Sequence, residues 1–185
     1  MSALSSKDQL EKIWSLAKYV RVAMLTTWQN GDVTVRPMHS VIRDDEKFVW
    51  FITDRHSTKV HEAQQNSEAI LTFSNGTGGD HLVMSGTLAV VDDRAKVKSL
   101  WNPGADLFFP SGPSDENAVL LRFAPIGAEY WTGGGGLLSF VVRFIEAKWT
   151  GERPRIGEHA SARLLITSPT RVRRYGDAHR SILPR

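Results

Sequence analysis

Hydrophobic and polar residues alternate with a period of two along much of this chain, and a helical period appears in only a few short segments. The first helical segment predicts an amphipathic helix over about residues 7–18, with apolar positions at Leu10, Ile13, Trp14 and Ala17. Residues 19–27 predict a strand that is largely buried on both faces, because both alternating sets are mostly apolar. Asn30-Gly31 is a strong hairpin signal, so residues 33–42 are predicted to form the return strand.

The remaining pattern predicts four further strands, at residues 48–53, 69–74, 81–91 and 118–124, with 129–131 continuing the sheet. Pro37 lies inside the return strand, which favours an edge position or a bulge there. Helices are predicted at about 57–66, from Asp92 or Asp93 to about 101, and at 137–149. Six or seven strands with hairpin turns are typical of a β-barrel. We therefore predict a mainly β fold, with α+β character from short peripheral helices.

Length and composition favour one soluble domain. The chain has 185 residues, of which 41% are hydrophobic and 23% charged, close to the averages of globular proteins. It has no cysteine, which excludes disulfides, thiolate metal sites and cysteine nucleophiles. The histidines do not cluster with carboxylates at ligand spacing, so no metal site is expected. Neither a secretory signal nor a membrane span is recognised, and we expect a cytoplasmic protein without a membrane partner.

The net charge of +3 is unevenly distributed along the chain. Residues 163–185 hold six arginines and one aspartate, a net charge of +5, so residues 1–162 carry a net charge of −2. The larger part therefore lacks a basic field that would recruit nucleic acid. We predict a barrel domain over residues 1–162 and a basic, poorly ordered tail over residues 163–185. Nucleic-acid binding through the arginines of this tail is a possible function, but it is weaker than the two functions described below.

Ser57-Thr58-Lys59 opens a predicted helix directly after a predicted strand. Free backbone N–H groups, two hydroxyls and an ammonium group converge at such a position, which suits an anion such as phosphate. Arg36, on an earlier strand, could supply a second cation with bidentate geometry. The alternative is an ordinary helix start in which Lys59 is solvated, and these residues alone leave both interpretations open.

Three motifs connect this candidate site to a known family: Arg36-Pro37-Met38, Trp50-Phe51-Ile52-Thr53 and Ser57-Thr58-Lys59. Together they resemble the FMN-binding split barrels of the pyridoxamine-phosphate-oxidase-like superfamily. Three later segments, at residues 81–86, 100–103 and 129–131, resemble its bacterial general stress protein branch. The resemblance covers about residues 7–162, and the order of the motifs is more specific than any one of them.

The resemblance implies a split β-barrel that binds FMN, or FAD, at the interface of a homodimer. The cations and hydroxyls of the first and third motifs would hold the FMN phosphate. The strand backbone near Met38 and along residues 51–53 would border the isoalloxazine ring. Trp101 or Trp131 could reach the flavin of the partner subunit or pack in the core. The cofactor-binding residues implied in this way are Arg36, Pro37, Met38, Trp50, Phe51, Ile52, Thr53, Ser57, Thr58, Lys59, Trp101 and Trp131.

Two main functions agree with this resemblance. The first is an oxidoreductase that passes electrons or hydride between reduced nicotinamide, NAD(P)H, and a small acceptor. The second is a non-catalytic stress protein that binds and sequesters flavin. The sequence offers no general acid or base beside the implied ring, so no catalytic residue is assigned. The tail does not match the substrate-binding segment of the pyridoxamine-phosphate oxidases, so vitamin B6 oxidation is not expected.

Overall fold

The computed structural model describes residues 6–76, 78–133 and 158–163, and one antiparallel sheet of seven strands dominates this part of the chain. The strands are β1 Val22–Gln29, β2 Asp32–His39, β3 Val49–Asp54, β4 Glu68–Asn75, β5 Asp80–Val91, β6 Ala118–Thr132 and β7 Glu158–Arg163. The helices are α1 Ser6–Val20, α2 Thr58–Gln65, α3 Arg94–Leu100 and α4 Pro103–Asp106, with a 3-10 turn at Gly112–Ser114. This mainly β content with short helices is the predicted fold class.

The sheet curls until its two ends meet. The strands are hydrogen-bonded in the order β2-β1-β4-β5-β6-β3, and β7 pairs with the second half of β6. Just beyond β2, Val41 and Trp50 exchange backbone hydrogen bonds of 2.8 and 2.9 Å, so the end of the return strand contacts β3. Among the described residues this contact is one isolated bridge. The barrel is therefore closed at one point and split between the rest of β2 and β3.

The β1–β2 hairpin turns at Asn30-Gly31, as predicted. These two residues have φ angles of 52° and 91°, which match the two positive values of a type I′ turn. β2 lies at one end of the strand order, so Pro37 occupies an edge strand, as predicted. A proline fits there because it has no N–H group to leave unpaired on the open side.

The prediction that β1 is largely buried on both faces is wrong. Ala23, Leu25 and Thr27 are fully buried on the inner face, whereas Val22 and Met24 on the outer face are 46% and 40% exposed. The inner face packs on the hydrophobic core, but the described elements leave the outer face of β1 and β2 open to solvent. Apolar residues on both faces of β1 are typical of a strand that is covered on both sides, but the described elements cover its inner face alone.

Two hydrophobic clusters hold the sheet and the helices together. The main cluster lies inside the sheet, where Ile13 and Ala17 of α1 and Val60 and Ala63 of α2 pack against inward-facing strand residues. The second cluster is built around Trp50, which packs with Val97, Leu100, Phe109, Ala118 and Leu120. Because α2 is fixed by its apolar side, its first turn is held close to the inner face of the barrel.

The helix boundaries agree with the sequence in part. α1 continues to Val20, beyond its predicted end, and Arg21 with a φ of 59° terminates it. Asp93 caps α3, as predicted, by accepting a hydrogen bond from the Lys96 N–H at 3.0 Å. β7 is missing from the predicted elements, and it ends at Arg163. The predicted helix at 137–149 and residues 164–185 lie outside the described residues.

None of the helices in the described ranges is both long and apolar enough to span a membrane.

Gly86 of β5 occupies a position where the barrel leaves no room for a side chain. The β5–β6 register is irregular between Ser85 and Gly86, and a Cβ at Gly86 would lie 2.3 Å from the Ala124 carbonyl oxygen and 2.7 Å from the Phe123 ring. Since the β6 backbone cannot move without disturbing its neighbours, we expect Gly86→Ala to lower the free energy of unfolding by about 1–3 kcal/mol. Urea unfolding of the two proteins measures the difference.

Gly76→Ala is the matched control for this substitution. A Cβ at Gly76 meets nothing within 4 Å, so the urea midpoint should change little. Equal losses of stability in the two variants would contradict the close approach of β5 and β6 at Gly86.

Candidate functional site

The first turn of α2 offers backbone hydrogen-bond donors to a ligand. Ser57 precedes the helix in an extended conformation, and its hydroxyl donates to the Asp54 carbonyl oxygen at 2.6 Å instead of capping the helix. Within a helix no carbonyl can accept from the N–H groups of the first residues, which are Thr58 and Lys59 here. Because the Ser57 side chain leaves these donors uncapped, an anion can bind to them.

Lys59 is half-buried, and its ammonium group forms no hydrogen bond or ion pair with the described residues. Burial lowers the pKa of Lys59 below its ordinary value of 10.5, and the positive charge of Arg36 lowers that pKa further. Asp54 and Glu62 act in the opposite direction but do not cancel the shift. A partly desolvated ammonium without a partner is suited to pair with an incoming anion. The alternative of a fully solvated Lys59 does not fit this environment.

Arg36 lies on the inner face of β2, close to α2. Its Nη1 donates to Thr27 Oγ1 at 2.8 Å, and its Nη2 donates to Glu62 Oε2 at 2.7 Å. The Thr27 hydroxyl completes a triangle by donating to the same carboxylate oxygen at 2.6 Å. The guanidinium charge also acts on the Lys59 ammonium. The structure therefore brings the two predicted cations, Arg36 and Lys59, into one neighbourhood.

Glu62 is the anion of this cluster, and its side chain is 3% exposed. Burial by itself raises the pKa of Glu62, but hydrogen bonds from Thr27 and Arg36 and the guanidinium charge outweigh it. The pKa of Glu62 therefore lies below its ordinary value of 4.5. At neutral pH Glu62 is ionised and forms a partly buried ion pair with Arg36.

The split between β2 and β3 leaves backbone groups pointing into a gap. Backbone groups of successive residues in an antiparallel strand alternate between its two neighbours. Since Trp50 bonds to Val41, the N–H and C=O of Ile52 also point away from β6, toward β2. Pro37 and His39 precede Val41 by four and two residues, so their backbone groups point to the same side as those of Val41 and face the gap from β2. These groups could bond to the polar edge of a planar ligand.

The side chains of the predicted strand residues point to two sides of the barrel wall. Met38 and Phe51 belong to the main core, and Thr53 is buried. Trp50 and Ile52 belong to the second cluster. The structure thus brings the backbones of both strands to one gap, whereas it directs the side chains of Trp50 and Ile52 away from the main core.

Trp101 and Trp131 are placed apart from the cation cluster. Trp101 donates from Nε1 to Asp106 Oδ1 at 2.8 Å, and its ring packs against Phe109 with 5.9 Å between centroids. Trp131 is 38% exposed on the outer face of β6, whereas Arg36 lies on the inner face of the sheet. Contact of either tryptophan with a ligand bound to the partner subunit stays a prediction.

Sequence reasoning missed Thr27 and Glu62. Glu62 follows Lys59 by three residues in α2, so its place on the helix could be read from the sequence. Its partner Arg36 is 26 residues away, and no local pattern signals a pairing across that separation.

Solved structures of other proteins share this fold. General stress protein 26 from Jannaschia sp. CCS1 is 27% identical, with a TM-score of 0.74 over 86% of this chain and 100% of that chain. A general stress FMN/FAD binding protein from Xanthomonas citri is 31% identical, with a TM-score of 0.62 over 68% of this chain and 89% of that chain. Protein bli-3 from Neurospora crassa is 26% identical over 110 residues, which cover 55% of this chain. The chain spans about half the length of this curated relative, 53%.

A family model described as pyridoxamine 5'-phosphate oxidase like matches residues 8–155, which is most of the chain. The matched range includes the hairpin, α2 and the strands from β3 to β6. The similarity to the general stress proteins and this match confirm the predicted superfamily and the predicted split-barrel fold. The chain therefore belongs to the pyridoxamine 5'-phosphate oxidase-like family.

Proposed function

We propose that this protein binds FMN, with FAD as the alternative flavin, and that the phosphate lies at the start of α2. The observation that carries the proposal is the half-buried Lys59 ammonium beside Arg36, without an ionic partner among the described residues. The first-turn N–H groups and the Thr58 hydroxyl complete a donor set that fits a phosphate monoester, whereas the Ser57 hydroxyl already donates to the Asp54 carbonyl oxygen. Membership of the family and the FMN/FAD binding protein of Xanthomonas citri support a flavin as the ligand.

In this proposal the isoalloxazine ring lies along the gap between β2 and β3. The backbone groups of Pro37, His39 and Ile52 face that gap and would bond to the polar edge of the ring. The phosphate donors lie at the start of α2, only a few residues after β3. One short stretch of chain therefore serves both ends of the ligand.

We infer an oxidoreductase function from the chemistry of the ligand. A bound flavin supplies hydride or single-electron transfer, while the protein supplies its position and its electrostatic surroundings. NAD(P)H is the proposed electron donor, and a small molecule is the acceptor. Purified protein loaded with FMN should consume NAD(P)H steadily in a spectrophotometric assay. Saturable flavin binding without consumption would instead favour the sequestering function.

Lys59→Ala should weaken FMN binding by roughly 10- to 100-fold, because it removes one charge-assisted hydrogen bond to the phosphate. Riboflavin has no phosphate, and its affinity should stay nearly unchanged. Titrations that follow flavin fluorescence measure both dissociation constants.

The matched control for this substitution is Lys98→Ala, since Lys98 is exposed on α3 and lies outside the proposed site. It should leave both affinities unchanged. Equal losses of FMN and riboflavin in Lys59→Ala would assign Lys59 to folding rather than to phosphate binding.

FMN affinity should fall as the pH rises from the lowered pKa of Lys59 toward 10.5, because the ammonium of the ligand-free protein loses its proton within this interval. The phosphate favours the charged ammonium, so binding in this interval should take up protons. Calorimetry in buffers of different ionisation enthalpy measures the uptake. Riboflavin binding and Lys59→Ala should lack it, and proton uptake that persists in Lys59→Ala would contradict the assignment.

The lowered pKa of Lys59 also makes the free energy of unfolding of the ligand-free protein depend on pH. Between the lowered folded pKa of Lys59 and its unfolded value of 10.5, the unfolded chain binds more protons. The contribution of Lys59 to the free energy of unfolding therefore increases with pH in this interval and is least favourable below it.

We propose that two copies of the chain pair through the outer face of β1 and β2, which would form the homodimer of the family. Four apolar side chains on this face are between 40% and 57% exposed: Val22, Met24, Val33 and Val35. The strand register places them on one side of the hairpin, with Thr26 opposite Val35. A contiguous apolar face of this kind is typical of a protein–protein contact. The placement of the flavin at the interface follows from the resemblance.

Val35→Lys should shift the protein toward the monomer, because it places a charge on the proposed contact face. Sedimentation velocity over a dilution series measures the change. Leu107→Lys is the control, since Leu107 is 83% exposed but lies on the loop after α4.

FMN should favour the dimer by linkage if it contacts both subunits. A protein that binds FMN at full affinity as a monomer would refute the interface placement.

A further inference from the structure

Glu62 is a buried anion next to a site that is proposed to bind an anion. Its side chain is 3% exposed, and its Oε2 accepts from Thr27 at 2.6 Å and from Arg36 at 2.7 Å. A carboxylate in this place repels a phosphate, so electrostatic attraction of the ligand does not explain its presence. Its contacts point to a different role, which concerns Arg36.

The contacts of Arg36 define that role. An arginine without partners samples many rotamers, and ordering it on ligand binding costs free energy. Here Nη1 is bonded to Thr27 of β1 and Nη2 to Glu62 of α2. The guanidinium plane is therefore held from two elements. Its orientation relative to the first turn of α2 is set before any ligand binds.

We propose that Glu62 is a positioning residue that holds Arg36 so that its remaining N–H groups meet the flavin phosphate, an inference that rests on the proposed function. A guanidinium has five N–H donors, and the contacts to Thr27 and Glu62 leave donors for phosphate oxygens. Glu62 also balances the charge of Arg36. Lys59 then supplies the excess positive charge, while Arg36 supplies directed hydrogen bonds.

The test compares Glu62→Leu, which removes the carboxylate, with Glu62→Gln, which keeps an acceptor oxygen of similar shape. The dissociation constants of FMN and riboflavin are measured for each protein, and the riboflavin-to-FMN ratio reports phosphate recognition. We expect Glu62→Leu to lower this ratio about tenfold, the scale of one charge-assisted hydrogen bond. Glu62→Gln should keep the ratio within about twofold or raise it, since the acceptor is retained and a negative charge is lost.

Arg36→Met tests whether Glu62 acts through Arg36. In the Arg36→Met background, Glu62→Leu should change the ratio by less than about twofold, because the side chain that Glu62 positions is missing. Thr27→Val removes the other contact of Arg36 without changing any charge, and it should lower the ratio in the same direction. This variant provides the test if Glu62→Leu does not fold.

Two results would overturn the inference and leave the flavin proposal in place. The first is an unchanged riboflavin-to-FMN ratio in the folded Glu62→Leu variant, which includes an equal loss of both affinities. The second is additive effects of the Arg36 and Glu62 substitutions. Wild-type protein that binds FMN no more tightly than riboflavin would contradict the phosphate site and overturn both proposals.

Discussion

The partly buried ion pair between Arg36 and Glu62 joins the parts of this protein that form the candidate site. The Glu62 side chain is 3% exposed, and a carboxylate is costly to bury unless its oxygens receive hydrogen bonds and its charge is balanced. Thr27 and Arg36 meet both requirements from the inner face of β1 and β2. Because Glu62 belongs to α2, these contacts also fix the helix start against the hairpin. Lys59 and the first-turn N–H groups are thereby held beside the guanidinium.

The second constraint is the incomplete closure of the sheet. A fully hydrogen-bonded barrel would use the backbone groups of every strand, whereas here β2 and β3 are linked by the bridge between Val41 and Trp50. Among the described residues, this bridge leaves backbone N–H and C=O groups of β2 and β3 unpaired along the gap. Pro37 has no N–H group, so β2 has one unpaired donor fewer, and the remaining groups would bond to the proposed flavin ring. The gap between β2 and β3 is therefore where the described strands of the barrel lack hydrogen bonds and also where the proposed ligand binds.

The two faces of the β1–β2 hairpin have different chemistry and different proposed roles. The inner face carries Thr27 and Arg36 toward α2, while the outer face carries exposed apolar residues such as Val33 and Val35. The period of two in a strand makes this separation unavoidable, since neighbouring residues point to opposite faces. One hairpin can therefore contribute to phosphate binding inside a subunit and to subunit pairing outside it.

The sequence by itself determined those elements that depend on interactions between neighbouring residues. The alternation defined most strands, Asn30-Gly31 defined the hairpin because its φ angles suit those residues, and Asp93 capped α3 through its own side chain. The motifs also located Arg36 and Lys59, which the structure brings together. Two features depend on contacts between residues far apart in the sequence, and only the tertiary structure decided them. The contact of Arg36 with Glu62 crosses 26 residues, and the exposure of one face of β1 depends on which elements cover it. Neither can be read from periodicity, because alternation assigns residues to two faces but does not specify what lies against each face.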